Sequence, residues 1–182
     1  MMKLIRIIYI LFSLYLLFYV VLPNPQFPEP PSDALQSNEP ADVETSDRRG
    51  YYTNLSRVQV LNHYQNQLNK SSFLNLPVPV FRLNYPPEEA QILIRDQTRS
   101  TYLQEIVHPF RESFYINGYE PSEPQNIIEV NEKNWKQKII VKYVGSNSLI
   151  RLIVTFLGLG MFWVVAGQWV ATIRELLNVK HV

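Results

Sequence analysis

The segment with the best spacing for chemistry in this sequence is Glu105-Ile106-Val107-His108. On a helix, residues three apart share a face, so this spacing brings a carboxylate and an imidazole together, as carboxylate-bridged di-metal sites require. Such sites need the motif twice, with two further glutamates. The sequence has one copy and three histidines in all. We therefore expect no metal site, and we interpret His108 as the end of a helix, where a cation is favoured.

A dense run of polar side chains surrounds this motif between residues 95 and 112. A helix that turns polar between apolar clusters either carries salt bridges toward solvent or presents a paired network to a partner or ligand. Under the first interpretation, pairs such as Asp96 with Arg99 contribute a few tenths of a kcal/mol each. Under the second, the run is a candidate interaction patch formed by Arg95, Asp96, Gln97, Arg99, Tyr102, Glu105, His108, Arg111 and Glu112.

The rest of the sequence offers no recognisable catalytic motif. It has no Gly-x-Ser-x-Gly elbow, phosphate-binding glycine loop, dinucleotide fingerprint or zinc motif, and it has no cysteine. With 17 basic and 16 acidic residues, its net charge gives no electrostatic argument for nucleic-acid binding. We expect a protein that is not an enzyme, uses no cofactor and binds no nucleic acid.

These polar residues lie between two strongly apolar ends. Ile7 to Leu22 is uncharged, follows Lys3 and Arg6, and stops at a proline; Leu152 to Ile173 is a longer uncharged run. Each is long enough, or nearly so, to cross a bilayer. No small residues follow Leu22 to suit signal-peptide cleavage, so an uncleaved anchor is favoured over a secretory signal. We predict transmembrane helices at residues 1–22 and 149–174, with the lipid bilayer as one partner.

Charge around the first apolar run predicts the orientation. Lys3 and Arg6 precede it, whereas acidic residues follow it, so the N-terminus is expected in the cytoplasm of a cell-membrane protein. A second span returns the tail, residues 175–182, to the cytoplasm and leaves the middle outside. In the second helix, Gly167 and Ala171 form a small-residue pair that lets another helix approach, and Gln168 could add a hydrogen bond. That helix is either a partner's or the chain's own first helix; alternatively, Gln168 simply reaches the interface.

The middle of the chain divides at residue 48. Residues 23–47 are rich in proline and acidic residues and have almost no large apolar side chain, which predicts a disordered spacer. Residues 48–146 have a globular composition and predict the outer domain. Its expected elements are a strand at Gly50–Thr53, a helix opened by the capping box Ser56-x-x-Gln59, an edge strand at Val78–Leu83, a helix from Pro86 to Val107, a strand at Ser113–Ile116 that ends in an Asn117-Gly118 turn, and a hairpin of Ile127–Val130 with Trp135–Val144.

These elements predict an α+β fold with two helices on one face of a largely antiparallel sheet. The first functional hypothesis is a two-pass membrane protein whose outer domain binds or scaffolds another membrane or envelope component, or a second copy of itself. A second hypothesis is a subunit or accessory of a pore, a transporter or a surface-polymer export system. A third is an extracytoplasmic enzyme that uses Asp96, Glu105 or His108.

Overall fold

The computed structural model describes residues 2–69, 77–94 and 99–179, and its contacts form two compact units, Met1–Leu22 with Asn147–Val182, and Pro23–Ser146. We term them the helix unit and the central domain. The elements are α1 (Met2–Val21), β1 (Leu35–Gln36), a 3₁₀ turn (Pro40–Asp42), β2 (Arg48–Thr53), α2 (Arg57–Leu68), β3 (Phe81–Tyr85), a 3₁₀ turn (Pro87–Glu89), α3 (Ala90–Leu93), β4 (Tyr102–Val107), β5 (Ser113–Tyr119), a 3₁₀ turn (Pro124–Asn126), β6 (Ile128–Val130), β7 (Lys133–Trp135), β8 (Gln137–Val144) and α4 (Ser148–Val179).

The helix unit consists of α1 and α4, which are both long and apolar enough to cross a membrane. This confirms the prediction of two apolar terminal helices. They pack together through Tyr9, whose hydroxyl donates a hydrogen bond to the carbonyl of Leu159 at 2.6 Å. The Tyr9 ring also lies 4.9 Å from that of Trp163, centroid to centroid.

The predicted contact of Gly167, Gln168 and Ala171 with the chain's own first helix is wrong. All three residues are exposed, and a Cβ placed on Gly167 meets no atom within 4 Å. Earlier in α4, the rings of Phe162 and Trp163 contact Tyr9, so the helices meet there through aromatic side chains and not through small residues. A contact of these three residues with another protein stays a prediction.

The central domain is α+β, built on a six-stranded antiparallel sheet in the order β1-β2-β8-β5-β4-β3. Helix α2 packs on one face, which we term the α2 face, through Val60, Leu61, Tyr64 and Leu68. Helix α3 lies on the other, the α3 face, where Ala90 and Ile94 pack with two strand residues. Those residues are Leu103 and Ile140, each next along its strand to a residue of the α2 core. Since neighbouring strand residues point to opposite faces, the prediction of two helices on one face is wrong.

The local signals for β2 and α2 are confirmed. The Ser56 side chain accepts a hydrogen bond from the Gln59 backbone, and the Gln59 side chain accepts one from the Ser56 backbone at 2.8 Å. This is the predicted capping box, and it satisfies N–H groups that the first helical turn leaves unpaired. The edge position predicted for the strand after Pro79 is also confirmed, because β3 is the last strand of the sheet.

The second predicted helix, from Pro86 to Val107, is wrong beyond its first turns. Helical structure covers the 3₁₀ turn after Pro86 and the four residues of α3, and from Tyr102 the chain forms β4. This strand pairs with β3 and β5 and is covered on both faces, so its sequence lacks the alternation that marks a half-exposed strand. Because β4 is a strand, Glu105 and His108 do not share a helix face.

The turn predicted at Asn117-Gly118 is wrong, and the last hairpin is shorter than predicted. Both residues lie inside β5, where a Cβ on Gly118 would come within 2.1 Å of the Tyr102 ring, so close packing requires the glycine. In the hairpin, β6 and β7 join through Asn131 and Glu132, which have φ values of 54° and 58°. Two residues with positive φ make a tight turn, and β8 then continues in the main sheet.

Residues 23–47, predicted as a disordered spacer, pack against the rest of the central domain instead. The Phe27 ring meets the Phe114 ring edge-on at 6.3 Å. The Asp33 carboxylate accepts hydrogen bonds from the Thr53 hydroxyl at 2.6 Å and from the Asn54 backbone at 2.7 Å. One aromatic and one carboxylate thus supply contacts that composition alone does not reveal, and β1 adds a strand to the sheet.

Candidate functional site

The predicted polar patch is not one surface in the structure. Of its nine members, Arg95, Asp96 and Gln97 lie outside the described residues, and Arg99 is exposed. The other five are buried, and they occupy three separate places. Alternation along β4 and the turn that follows it separate the side chains: Tyr102 is on the α2 face, Glu105 is on the α3 face, and His108, Arg111 and Glu112 are in the β4–β5 turn.

The β4–β5 turn holds the most concentrated charge. His108 Nδ1 lies 2.6 Å from Glu112 Oε1, and His108 Nε2 lies 2.9 Å from the Leu68 carbonyl. Both ring nitrogens therefore lie within hydrogen-bond distance of an oxygen atom. Arg111 donates to the same carboxylate, at 2.9 Å to Oε1 and 3.3 Å to Oε2, and to the Pro23 carbonyl at 3.0 Å.

All three side chains of this turn are buried, so they are not exposed to a substrate. A buried carboxylate is costly unless it is paired and hydrogen-bonded, and here the Arg111 guanidinium and the His108 ring share it. The cluster ties the turn to the end of α2 and to the first residue of the domain. We interpret it as a structural clamp on the β4–β5 turn.

Glu105 makes a separate pair on the α3 face. It accepts a hydrogen bond from the Tyr85 hydroxyl at 2.6 Å, and this bond to a carboxylate raises the pKa of Tyr85, because it stabilises the protonated phenol. The Tyr85 ring lies 6.2 Å from the ring of Tyr115 on β5. The pair links the edge strand β3 to its neighbour and does not bring Glu105 near His108.

A charged cluster that the sequence analysis missed lies where β1 and the first 3₁₀ turn cover the sheet. Lys138 Nζ is 2.7 Å from the buried carboxylate of Asp42 and 2.8 Å from that of Glu39. The Tyr52 hydroxyl donates to Glu39 at 2.6 Å. The hydrogen bonds from Lys138 and Tyr52 lower the pKa of Glu39. The only available signal was Pro40 between the two acids, which suits the first residue of a helical turn.

In the parts of the chain that the structure describes, no group of three or more histidine, cysteine, aspartate or glutamate side chains could hold a metal ion. Glu105 and His108, the pair with the right spacing for a ligand set on a helix, are committed to Tyr85 and to Glu112 respectively.

The edge strand β3 presents a different kind of surface. Among the described residues it pairs with β4 alone. Its α2 face is polar and occupied, because Arg82 donates to Asn62 at 3.1 Å and Asn84 accepts from Arg57 at 2.9 Å. Its α3 face exposes Phe81 and Leu83, with 56% and 44% of their surface accessible. Exposed apolar side chains on an edge strand mark a candidate interaction surface, which we term the β3 edge.

Comparisons with known proteins return no match: no family model, no curated protein and no solved structure is similar to this chain.

Proposed function

We propose that this chain is a two-pass membrane protein with both termini in the cytoplasm and the central domain outside. The support is physical. Only 11% and 6% of the residues in the apolar stretches of α1 and α4 are buried. A core helix of a soluble protein buries most of its apolar surface, whereas these helices leave theirs exposed, as a helix in lipid does. Lys3 and Arg6 before α1 favour the stated orientation.

In this proposal, the central domain is a binding module that takes an extended segment of another envelope protein along the β3 edge. The observation that carries it is the exposure of Phe81 and Leu83 on the last strand of the sheet. An edge strand has backbone N–H and C=O groups on one side that can pair with an added strand. The backbone supplies affinity, and side-chain contacts supply specificity.

The chemistry of β3 defines the partner segment. Phe81, Leu83 and Tyr85 alternate on the α3 face, so an added strand should carry apolar side chains at every second position there. Arg82 on the opposite face is already bonded to α2, with Asn62 and Gln65 as acceptors. We therefore expect the segment to be apolar on one face and to need no strong charge on the other.

Site-specific photocrosslinking in intact cells tests this function. A photoreactive phenylalanine analogue at position 81 is compared with the same analogue at Val58, which is exposed on α2, the helix that packs on the opposite face of the sheet from Phe81. We expect a distinct adduct from position 81, mapped by mass spectrometry to one extended segment of an envelope protein. Leu83→Lys in the same protein should weaken that adduct, while Arg99→Ala should not.

Two results would contradict the proposal. Equal adducts from positions 81 and 58 would indicate nonspecific proximity. An adduct to a second copy of the chain would assign the β3 edge to self-association and not to another envelope protein.

A further inference from the structure

The two chain ends of the central domain lie together, at the tip of one hairpin. The Asn24 side chain donates to the Ser146 carbonyl at 3.1 Å, so residues close to the first and last of the domain are in contact. Arg111 of the β4–β5 turn donates to the Pro23 carbonyl at 3.0 Å, and its own carbonyl accepts from the Ser146 hydroxyl. We term this part of the domain the proximal end, because the chain passes from it into both apolar helices.

Phe110 is the most exposed large apolar side chain of the proximal end. It sits in the β4–β5 turn with 78% of its surface accessible and a φ of 62°. That backbone conformation is unfavourable for residues other than glycine, and most unfavourable for a bulky residue. The turn holds it in place, with His108 N donating to Glu112 O at 2.9 Å and Arg111 N to His108 O at 3.0 Å. A strained conformation that displays a large apolar ring contributes nothing to the core, which points to a role at the surface.

Other apolar side chains surround the same end. The strand register aligns Phe81 with Val107, Val107 with Ser113, and Ser113 with Val144. This row crosses the sheet at the ends of four strands, on the side of the β4–β5 turn. Phe81 and Val144 are exposed on it. The proximal end thus carries an apolar rim, with Phe110 at its tip.

The connections between the central domain and the two apolar helices are short. Helix α1 ends at Val21 and the domain begins at Pro23, while β8 ends at Val144 and α4 begins at Ser148. A fully extended chain spans at most about 3.6 Å per residue, so these connections reach roughly 7 Å and 14 Å. Both connections leave the domain at the proximal end, so their covalent length alone limits the distance from that end to either apolar helix.

We propose that the Phe110 turn inserts into the interface of the lipid bilayer, with Val144 beside it. This inference rests on the two-pass arrangement proposed above. Apolar and aromatic side chains partition into the boundary between headgroups and acyl chains, where the buried His108, Arg111 and Glu112 cluster would hold the ring in position. The occupant at Phe110 and Val144 is therefore lipid, while the β3 edge, with Phe81 and Leu83, remains for a protein segment.

The natural absence of cysteine allows a direct test. A single cysteine replaces Phe110 in the full-length protein, carries a nitroxide spin label, and is reconstituted into phosphatidylcholine and phosphatidylglycerol vesicles. Power saturation compares collisions with oxygen, which concentrates in lipid, and with a water-soluble nickel complex. The matched aqueous control is Val58→Cys. Val58 is close in sequence to Leu55, whose carbonyl accepts a hydrogen bond from the Gln137 side chain. Gln137 is at the opposite end of β8 from Val144, so Val58 marks the far end of the domain. The lipid control is Val164→Cys in α4.

We expect the label at 110 to favour oxygen over nickel at least threefold relative to the label at 58. Val144→Cys labels an independent position on the same rim. Its oxygen and nickel accessibilities are measured if Phe110→Cys lowers the melting temperature. The labels at 110 and 144 could behave like the label at 58 while the label at 164 lies in lipid. That result would overturn the Phe110 insertion and leave the two-pass arrangement intact. A label at 164 in water overturns the two-pass arrangement itself.

Discussion

His108 and Glu112 are joined twice across the β4–β5 turn, once by backbone and once by side chain. The His108 N–H donates to the Glu112 carbonyl at 2.9 Å, and Nδ1 of the imidazole lies 2.6 Å from the carboxylate. Both residues are buried, with 1% and 2% of their surface accessible. The same pair therefore closes the hairpin and places a charge in its interior. The turn conformation and the charge cluster should fail together when either partner is removed.

Removal of the carboxylate should destabilise the central domain strongly. Glu112→Ala leaves His108 and Arg111 buried without their shared acceptor, and breaking a buried pair in this way typically costs about 3–5 kcal/mol. Thermal unfolding of the full-length protein in mild detergent, followed by circular dichroism, measures the loss. Glu129→Ala, at an exposed position of β6, is the control and should change stability by less than about 0.5 kcal/mol. Equal effects of the two substitutions would refute the role assigned to the cluster.

Two buried tyrosines should respond in opposite ways to loss of the hydroxyl. The Tyr64 hydroxyl is buried with no hydrogen-bond partner among the described residues, and burial raises its pKa. Tyr64→Phe should therefore be neutral or stabilise by about 1 kcal/mol. The Tyr102 hydroxyl donates to the buried Gln137 side chain at 2.7 Å, so Tyr102→Phe should cost about 1–2 kcal/mol. Denaturant unfolding of both variants gives the comparison, and a loss of stability in Tyr64→Phe would contradict it.

Acid should weaken the cluster that joins β1 and the first 3₁₀ turn to the sheet. Hydrogen bonds from Lys138 and Tyr52 lower the pKa of Glu39 from its usual 4.5. A carboxyl with a lower pKa in the folded state contributes stability that is complete above pH 4.5 and is lost as pH falls through the folded-state value. Glu39→Gln should accordingly flatten the loss of stability below pH 4.5. The measurement is denaturant unfolding at a series of pH values, with Glu129→Gln as the control; an unchanged profile in Glu39→Gln would refute the assignment.

The helix pair offers a test of where α1 and α4 meet. Tyr9→Phe removes the hydrogen bond to the Leu159 carbonyl and should weaken the pairing by about 0.6 kcal/mol, a typical value for such bonds in membranes. Gly167→Leu adds bulk at a position with open space and should leave the pairing unchanged. Resistance of the helix unit to unfolding in increasing SDS gives the ranking. A larger effect of Gly167→Leu would restore the small-residue contact predicted from the sequence.

Local signals in the sequence predict the elements that depend on a few neighbours. The Ser56 and Gln59 capping box fixes the start of α2, and its apolar spacing identifies the buried side chains. The two apolar ends are evident from length and composition. In each case the interactions that determine the element are between residues close in sequence, so it can be predicted without knowledge of the tertiary contacts.

The missed features depend on partners far along the chain. The sequence of β4 is interpreted as helical because the strand is packed on both faces, between β3 and β5. Its apolar and polar residues therefore lack the two-residue alternation of a half-exposed strand. The Asn117-Gly118 pair has the sequence of a turn, but the glycine is needed for a different reason: the Tyr102 ring packs directly against it inside the sheet. The candidate patch failed for the same reason, since Glu105 and His108 share a face only if β4 is a helix. Phe27 and Asp33 show that two good contacts can order a segment that its composition classifies as a spacer.

Helix α4 is much longer than α1, with 32 residues against 20. At about 1.5 Å per residue they extend roughly 48 Å and 30 Å, and the hydrocarbon core of a typical bilayer is about 30 Å thick. The helices start level at one end, where Arg151 donates to the Leu22 carbonyl at 3.3 Å. Helix α4 therefore projects about 18 Å, roughly three turns, beyond the first turn of α1. In the proposed two-pass arrangement, a bilayer matched to α1 would leave that projection as a rigid stalk, which would hold any protein fused behind it away from the lipid headgroups.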